Sequence, residues 1–217
     1  MNWLQRRRNF FGYVTKLVPN NVIINRAMLE DEEYINEIIK NKSLVSYQAL
    51  VEKYENRVFT LCYKIIKGRE DAEEVAQDVF VTGFGKLKEL KDRRKFPNWI
   101  LKIAYSKSID WVRKKRLATI SLSASNEGYF KEERTPVKDT IDRNRKEIIS
   151  RAIHQLEPVE ASIITLFYIQ DRPVREVAEI TGLSVGNVKV KLFRARISLK
   201  TILANLLQTD LQDFIEN

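Results

Sequence analysis

"TGLSVGNVKVKLFRARISLK" runs from Thr181 to Lys200. Glycine marks a tight turn, Ser184 is a helix-capping residue type, and Lys189, Lys191, Arg194, Arg196 and Lys200 follow. At about 100° per residue from Ser184, Val185, Val188, Leu192, Ala195 and Leu199 cluster on the face that must be buried. Gly186, Asn187, Val190, Phe193, Arg194 and Ile197 lie broadly opposite, and Lys189 and Arg196 flank the buried stripe. Just upstream, "PVREVAEITG" reads as a short amphipathic helix with small Ala178. Two helices joined by a short glycine turn form the helix-turn-helix pattern.

The cations on that helix face water, an acidic protein or nucleic acid. A solvated face needs no Val190 and Phe193 among its charges. A DNA-reading face uses both kinds: cations and amides bond phosphates and base edges, and apolar groups touch the thymine methyl. Gly186 lets backbone N–H groups approach a phosphate. The alternative is a third packing surface built on Val190 and Phe193.

The composition is compatible with a polyanionic partner. Lys plus Arg number 38 against 29 Asp plus Glu, a net charge of +9, which favours nucleic acid or an anionic membrane surface. With one cysteine, Cys62, and one histidine, His154, a disulfide framework is excluded and a Cys/His zinc site nearly so. Cytosol is the expected compartment. No apolar run reaches the ~20 residues of a membrane-spanning helix. The N-terminal residues 1–29 are basic and aromatic but lack signal-peptide organisation. Arg6, Arg7 and Arg8 there suit a solvated extension or a weak contact with an anionic surface, and Met28 offers an alternative start.

Elsewhere the apolar spacing is helical. "SYQALVEKYENRVFTLCYKIIKG" carries a three-four stripe through Tyr47, Leu50, Val51, Tyr54, Val58, Leu61, Cys62 and Ile65, ended by Gly68. Cys62 on that stripe reads as core. "REDAEEVAQDVFVTGFGKLKEL" predicts a second helix whose acidic start suits the helix dipole. A third is expected over 97–116, and a shorter one over 30–40 precedes all three. Residues 119–140 are rich in Ser, Thr, Glu, Gly and Pro and read as a flexible linker, with "TISLS" alone strand-like. Helices are expected again over 142–155, 158–168, 173–180 and 184–206. The fold class is therefore all-α: two small helical domains, 30–118 and 141–206, with a tail over 207–217.

On the second helix Asp71, Glu74 and Asp78 fall within roughly 60° of each other, and Gln77 lies alongside. Ala72, Val75, Ala76, Val79 and Phe80 take the core side. Such a face is solvated, holds a metal, or docks a basic partner. No histidine lies nearby, and no second carboxylate group supports the metal.

"LEPVEASIITLFYIQDRPVREVAEITGLSVGNVKVKLFRARISLK" resembles the C-terminal promoter-binding domain of bacterial sigma factors. "EDAEEVAQDVFVTGFGKL" and "FPNWILKIAYSKSIDWVRKKR" resemble the second domain of that family. Their order, with no third domain between them, is similar to the extracytoplasmic-function group over residues 30–206. The resemblance implies a non-catalytic initiation factor. It binds core RNA polymerase, reads an upstream promoter element as duplex and captures the melted non-template strand of a downstream element. It implies no cofactor, metal or small-molecule substrate.

Carried onto this chain, the upstream reader is Gly186, Asn187, Lys189, Val190, Phe193 and Arg194, with Lys191 and Arg196 on phosphates. The downstream set is Phe96, Asn98, Tyr105, Ser106, Lys107, Trp111, Arg113 and Lys114, where bases stack on aromatic faces and cations track the backbone. Trp99 is read as core; Trp111 is core or stacking platform. The chain departs from the family at Ser106, where many relatives carry asparagine, so downstream specificity is expected to differ. The resemblance makes Asp71, Glu74, Gln77 and Asp78 the contact for the clamp coiled coil of the polymerase's largest subunit. Asp110 reads as a structural residue or a salt-bridge partner of a nearby cation. An anti-sigma factor that blocks these surfaces is a further partner of the group. A helix-turn-helix regulator independent of polymerase is the main rival; a nucleic-acid enzyme lacks its phosphate loop and metal-ligand spacing.

Overall fold

The computed structural model describes residues 30–122 and 141–215. Every regular element among them is helical, as the three-four spacing predicts. They form two compact units, one from residues 30–63 and 68–107, the other from residues 64–67 and the described residues from 108 on. The extension over 1–29, with Arg6, Arg7 and Arg8, and most of the expected linker lie outside the described residues.

In the first unit, α1 (Asp31–Asn41) opens with a reciprocal cap: Glu30 and Glu33 each accept the other's backbone N–H. Lys42, in the left-handed region at φ 51°, ends it. Ser43 starts α2 (Leu44–Ile66) by accepting the Ser46 N–H at 3.2 Å. The predicted stripe turns inward: Leu50, Tyr54, Val58, Leu61 and Cys62 are buried. Cys62 is thus a small core residue.

Helix α3 (Arg69–Lys86) brings Ala72, Val75, Ala76, Val79 and Phe80 to the same core. Two short 3-10 turns, Leu87–Glu89 and Arg93–Lys95, lead into α4 (Phe96–Leu122). Gly83 lets α3 and α4 approach closely, because a Cβ there would stand 2.8 Å from Ile100 Cδ1. Helix α4 outruns its expected end. The segment "TISLS" was expected to be strand-like, but its residues up to Leu122 are helical. Extending a formed helix fixes one residue per hydrogen bond, so β-branched propensity is outweighed.

The second unit contains α5 (Ile141–Gln155), α6 (Pro158–Ile164), α7 (Val174–Thr181) and α8 (Val185–Ile215). Proline starts α6, where no N–H is required. The helix expected over 158–168 instead widens into a π turn, Thr165–Ile169, where the Gln170 N–H reaches the Thr165 carbonyl at 2.9 Å. Helix α8 packs against α5, α6 and α7. Ala195 of α8 meets Ile153, Leu156, Ala161 and Ile164, with Leu199 and Ile202 alongside. Helix α8 also continues past the expected end at 206. No described helix is long and apolar enough to cross a membrane.

The Gly83 contact yields a change of sign. Alanine is the better helix former by ~1 kcal/mol, but overpacking costs ~1–3 kcal/mol. Gly83→Ala should therefore destabilise the native chain and stabilise the Ile100→Val background, which lacks the offending methyl. Urea unfolding of the four variants checks this.

Candidate functional site

The turn before α8 is built from the residues singled out by sequence. Gly182 adopts φ 72°, where a side chain is strained, and its N–H bonds the Ala178 carbonyl at 2.9 Å. Ser184 Oγ accepts the Asn187 N–H at 3.2 Å, capping the next helix. Val188, Leu192 and Ala195 are buried. Gly186, Asn187, Lys189, Val190, Phe193 and Arg194 are all exposed on the first turns of α8. Phe193 is 62 % exposed and Val190 50 %, so the third packing surface is absent among the described residues. Ile197 is exposed as well. Val185, expected inward, is 40 % exposed, because the core against α8 begins a turn later at Val188.

Arg196 has a partner that sequence reasoning missed. Its Nε donates to Tyr168 Oη at 2.7 Å. Its guanidinium lies 5.6 Å from the Tyr168 ring centre and 6.0 Å from that of Phe167, close enough for cation–π attraction. The π turn delivers both rings, and no sequence periodicity announces such a turn. Lys191 is partly buried on the same helix.

On α3, Glu74, Gln77 and Asp78 are exposed and Asp71 is partly buried. The Asp71 carboxylate lies back over the helix start, since a Cβ on Gly68 would stand 2.9 Å from its Oδ2. Glu73, between them, is buried and paired with Arg69 at 3.0 Å. Its four-residue spacing from Arg69 was the available signal. Asp78 Oδ2 accepts from Lys107 Nζ of α4 at 2.6 Å, a contact between helices that neither segment reveals alone. No group of three metal-ligating side chains occurs among the described residues.

The basic-aromatic set divides. Phe96, expected to meet DNA, is 4 % exposed and packs edge-on against Tyr54 at 5.2 Å. An apolar ring at a helix start next to an open core is drawn in, so Phe96 anchors the preceding loop and offers no face to a base. Trp99 is partly buried and tilts against Phe96 at 5.9 Å, as a core residue does. Asn98 is partly buried, and its Oδ1 has no hydrogen-bond partner among the described residues. The loop before it is shaped by Asp92, which accepts the Arg94 N–H at 3.2 Å and its Nε at 3.1 Å. The Arg94 hydrogen bond holds the Asp92 carboxyl below its usual range.

Ser106 is exposed, while Tyr105 and Lys107 are partly buried. Burial raises the pKa of the Tyr105 phenol. Further along α4, Lys115 Nζ sits 4.5 Å from the centre of the half-buried Trp111 ring. Arg113 and Lys114 are exposed, and Arg113 pairs with Asp110 at 2.7 Å, the expected salt bridge.

Comparison with known proteins follows the same segments. A family model described as Sigma-70 region 2 matches residues 50–118, and one described as Sigma-70, region 4 matches residues 146–199. Together they span more than half of the chain. The chain is 26% identical over 176 residues to the ECF RNA polymerase sigma factor SigW of Bacillus subtilis, covering 77% of this chain and 94% of that protein. It is 22% identical over 173 residues to the ECF RNA polymerase sigma-E factor of Haemophilus influenzae, covering 76% and 91%. In fold it is similar to the sigma factor RpoE, solved with the anti-sigma factor NepR from Bartonella quintana. The TM-score there is 0.61 at 14% identity, over 73% of this chain and 96% of that one. It is also similar to CnrH, solved with the cytosolic domain of CnrY, with a TM-score of 0.58 at 20% identity over 81% and 97%.

The Ser184 cap sets where the exposed face of α8 begins. Ser184→Ala should cost ~1 kcal/mol of stability, and Ser184→Asp, which keeps an acceptor, much less. The urea midpoints of the two variants give the comparison.

Proposed function

The chain belongs to the sigma-70 family, in its extracytoplasmic-function group, and we propose that three of its surfaces divide the work of promoter selection. It is a promoter-specificity subunit of bacterial RNA polymerase, not itself a catalyst. The observation that carries the assignment of surfaces is the exposed row on α8, apolar and cationic together, directly after a capped glycine turn.

Gly186, Asn187, Lys189, Val190, Phe193 and Arg194 read the upstream element in the major groove. Asn187 has the donor and acceptor that suit adenine, Lys189 and Arg194 suit guanine, and Val190 and Phe193 suit the thymine methyl. Lys191 and Arg196 contact phosphates, the latter braced by Tyr168. The downstream strand, once melted, follows Asn98, Tyr105, Ser106, Lys107, Trp111, Arg113 and Lys114. Phe96 supports the loop from the core. Trapping an unstacked base offsets the few kcal/mol of unpairing, so melting proceeds without nucleotide hydrolysis. Asp71, Glu74, Gln77 and Asp78 dock on the core enzyme. The exposed Glu74, Gln77 and Asp78, with the partly buried Asp71, form a surface whose carboxylates fit a basic partner.

The docking and downstream surfaces lie within residues 30–122 and the upstream reader within 141–215, and the protein works in the cytoplasm with the polymerase. An anti-sigma factor is the remaining partner. Of the two solved proteins of similar fold, the sigma factor RpoE was captured with an anti-sigma factor and CnrH with the cytosolic domain of CnrY.

The test is transcription of a fragmented genomic library by the cognate core enzyme plus the purified chain, followed by sequencing of run-off transcripts. New start sites sharing two upstream elements are the expected result. Asp71→Arg should abolish them through loss of docking. Arg194→Ala should cost ~1–3 kcal/mol at one upstream base pair, relaxing the preference there. Loss of a phosphate contact, as with Lys191→Ala, should instead lower the salt slope by ~0.9. A folded chain that binds no polymerase and yields no promoter-dependent transcript would overturn the reading.

A further inference from the structure

The acidic surface of α3 and the basic surface of α4 meet in one ion pair. Lys107 Nζ stands 2.6 Å from Asp78 Oδ2, across 29 residues of sequence. The Lys107 side chain is 28 % exposed and that of Asp78 59 %, so the pair lies at the surface, within reach of a third charge. On the assignments above, Asp78 belongs to the polymerase-docking face and Lys107 to the path of the melted strand. Each therefore occupies the other in the free chain.

We propose that the Lys107–Asp78 pair couples polymerase docking to strand capture. In the free chain Asp78 holds the Lys107 ammonium back from nucleic acid. A cation of the core enzyme that engages Asp78 replaces it and releases Lys107 to the non-template backbone. The inference rests on the docking role of Asp78 and goes beyond it by linking two surfaces otherwise separate. Linkage makes the effect reciprocal: whatever Lys107 subtracts from polymerase affinity, polymerase subtracts from the hold on Lys107. An exposed pair shifts such an equilibrium by only ~2–5-fold, and the shift should fade as salt screens the pair.

A purely structural tie between α3 and α4 predicts the opposite sign, which makes the matter decidable. The affinity of the full-length chain for core enzyme, measured by fluorescence anisotropy at low and high salt, is compared among variants. Lys107→Gln should bind core ~2–5-fold more tightly at low salt, while forming fewer open complexes on the promoter. Asp78→Asn should bind core more weakly, and the double variant should match Asp78→Asn, because no carboxylate remains to be freed. Lys88→Gln, the same change of charge at an exposed site in the turn between the two helices, should leave core affinity unchanged. If Lys107→Gln binds core no better while Asp78→Asn binds worse, the coupling is overturned and the docking role of Asp78 stands. If Asp78→Asn has full affinity, the docking assignment fails and the coupling with it. An equal gain from Lys88→Gln would reduce the effect to net charge and overturn the proposal.

Discussion

Val188, Leu192 and Ala195 must be buried for Val190, Phe193 and Arg194 to be exposed. One helix cannot turn both sets outward, and the cost of leaving the first set in water decides which way α8 sits. Three helices, α5 to α7, supply the wall against which that stripe packs. The free side of α8 is then available to a ligand without any further adjustment. A recognition surface obtained in this way is held by hydrophobic burial on its far side. Its own residues are released from structural duty and, on the proposed assignment, free to vary with the sequence they would read.

The first unit solves the same problem with two helices. Helix α3 commits Ala72, Val75, Ala76, Val79 and Phe80 to the core and is left with a strip of carboxylates. Helix α4 commits Ile100, Leu101 and Ala104 and is left with cations, a serine and an aromatic. Gly83 draws the two helices together, so surfaces of opposite sign lie side by side. Opposed charges on adjoining helices attract, and Lys107 and Asp78 record it. A chain that is basic overall thereby keeps a local acidic face, which broad composition does not disclose.

Most of the fold was legible because it depends on periodicity, a property of single segments. The stripe of α2, the core side of α3 and, from Val188 on, both sides of α8 follow from apolar spacing alone, and the cap at Ser184 from one residue type in its place. What was illegible depends on two segments at once or on departures from regular backbone. The partner of Arg196 requires a π turn thirty residues upstream. The partner of Lys107 requires the crossing of α3 and α4. The burial of Phe96 was illegible for a related reason: its aromatic ring is equally suited to a base and to a core, and the sequence does not show that Tyr54 lies beside it. "TISLS" was misread because propensity was weighed without the helix already formed before it. The proposed pairing of surfaces with partners comes from the family resemblance, since periodicity cannot express it.

The π turn at Thr165–Ile169 carries a consequence for how this unit tolerates changes in length. Such a turn holds one residue more than the α-helical turn it interrupts. Deleting a single residue there would let the backbone close into regular α register. The turn already absorbs the extra residue, so the residues on either side would keep their places around the axis, whereas the same deletion in α7 would rotate every later side chain of that helix by about 100°. The π turn is thus the place in this unit where one residue can be lost with least disturbance to what flanks it.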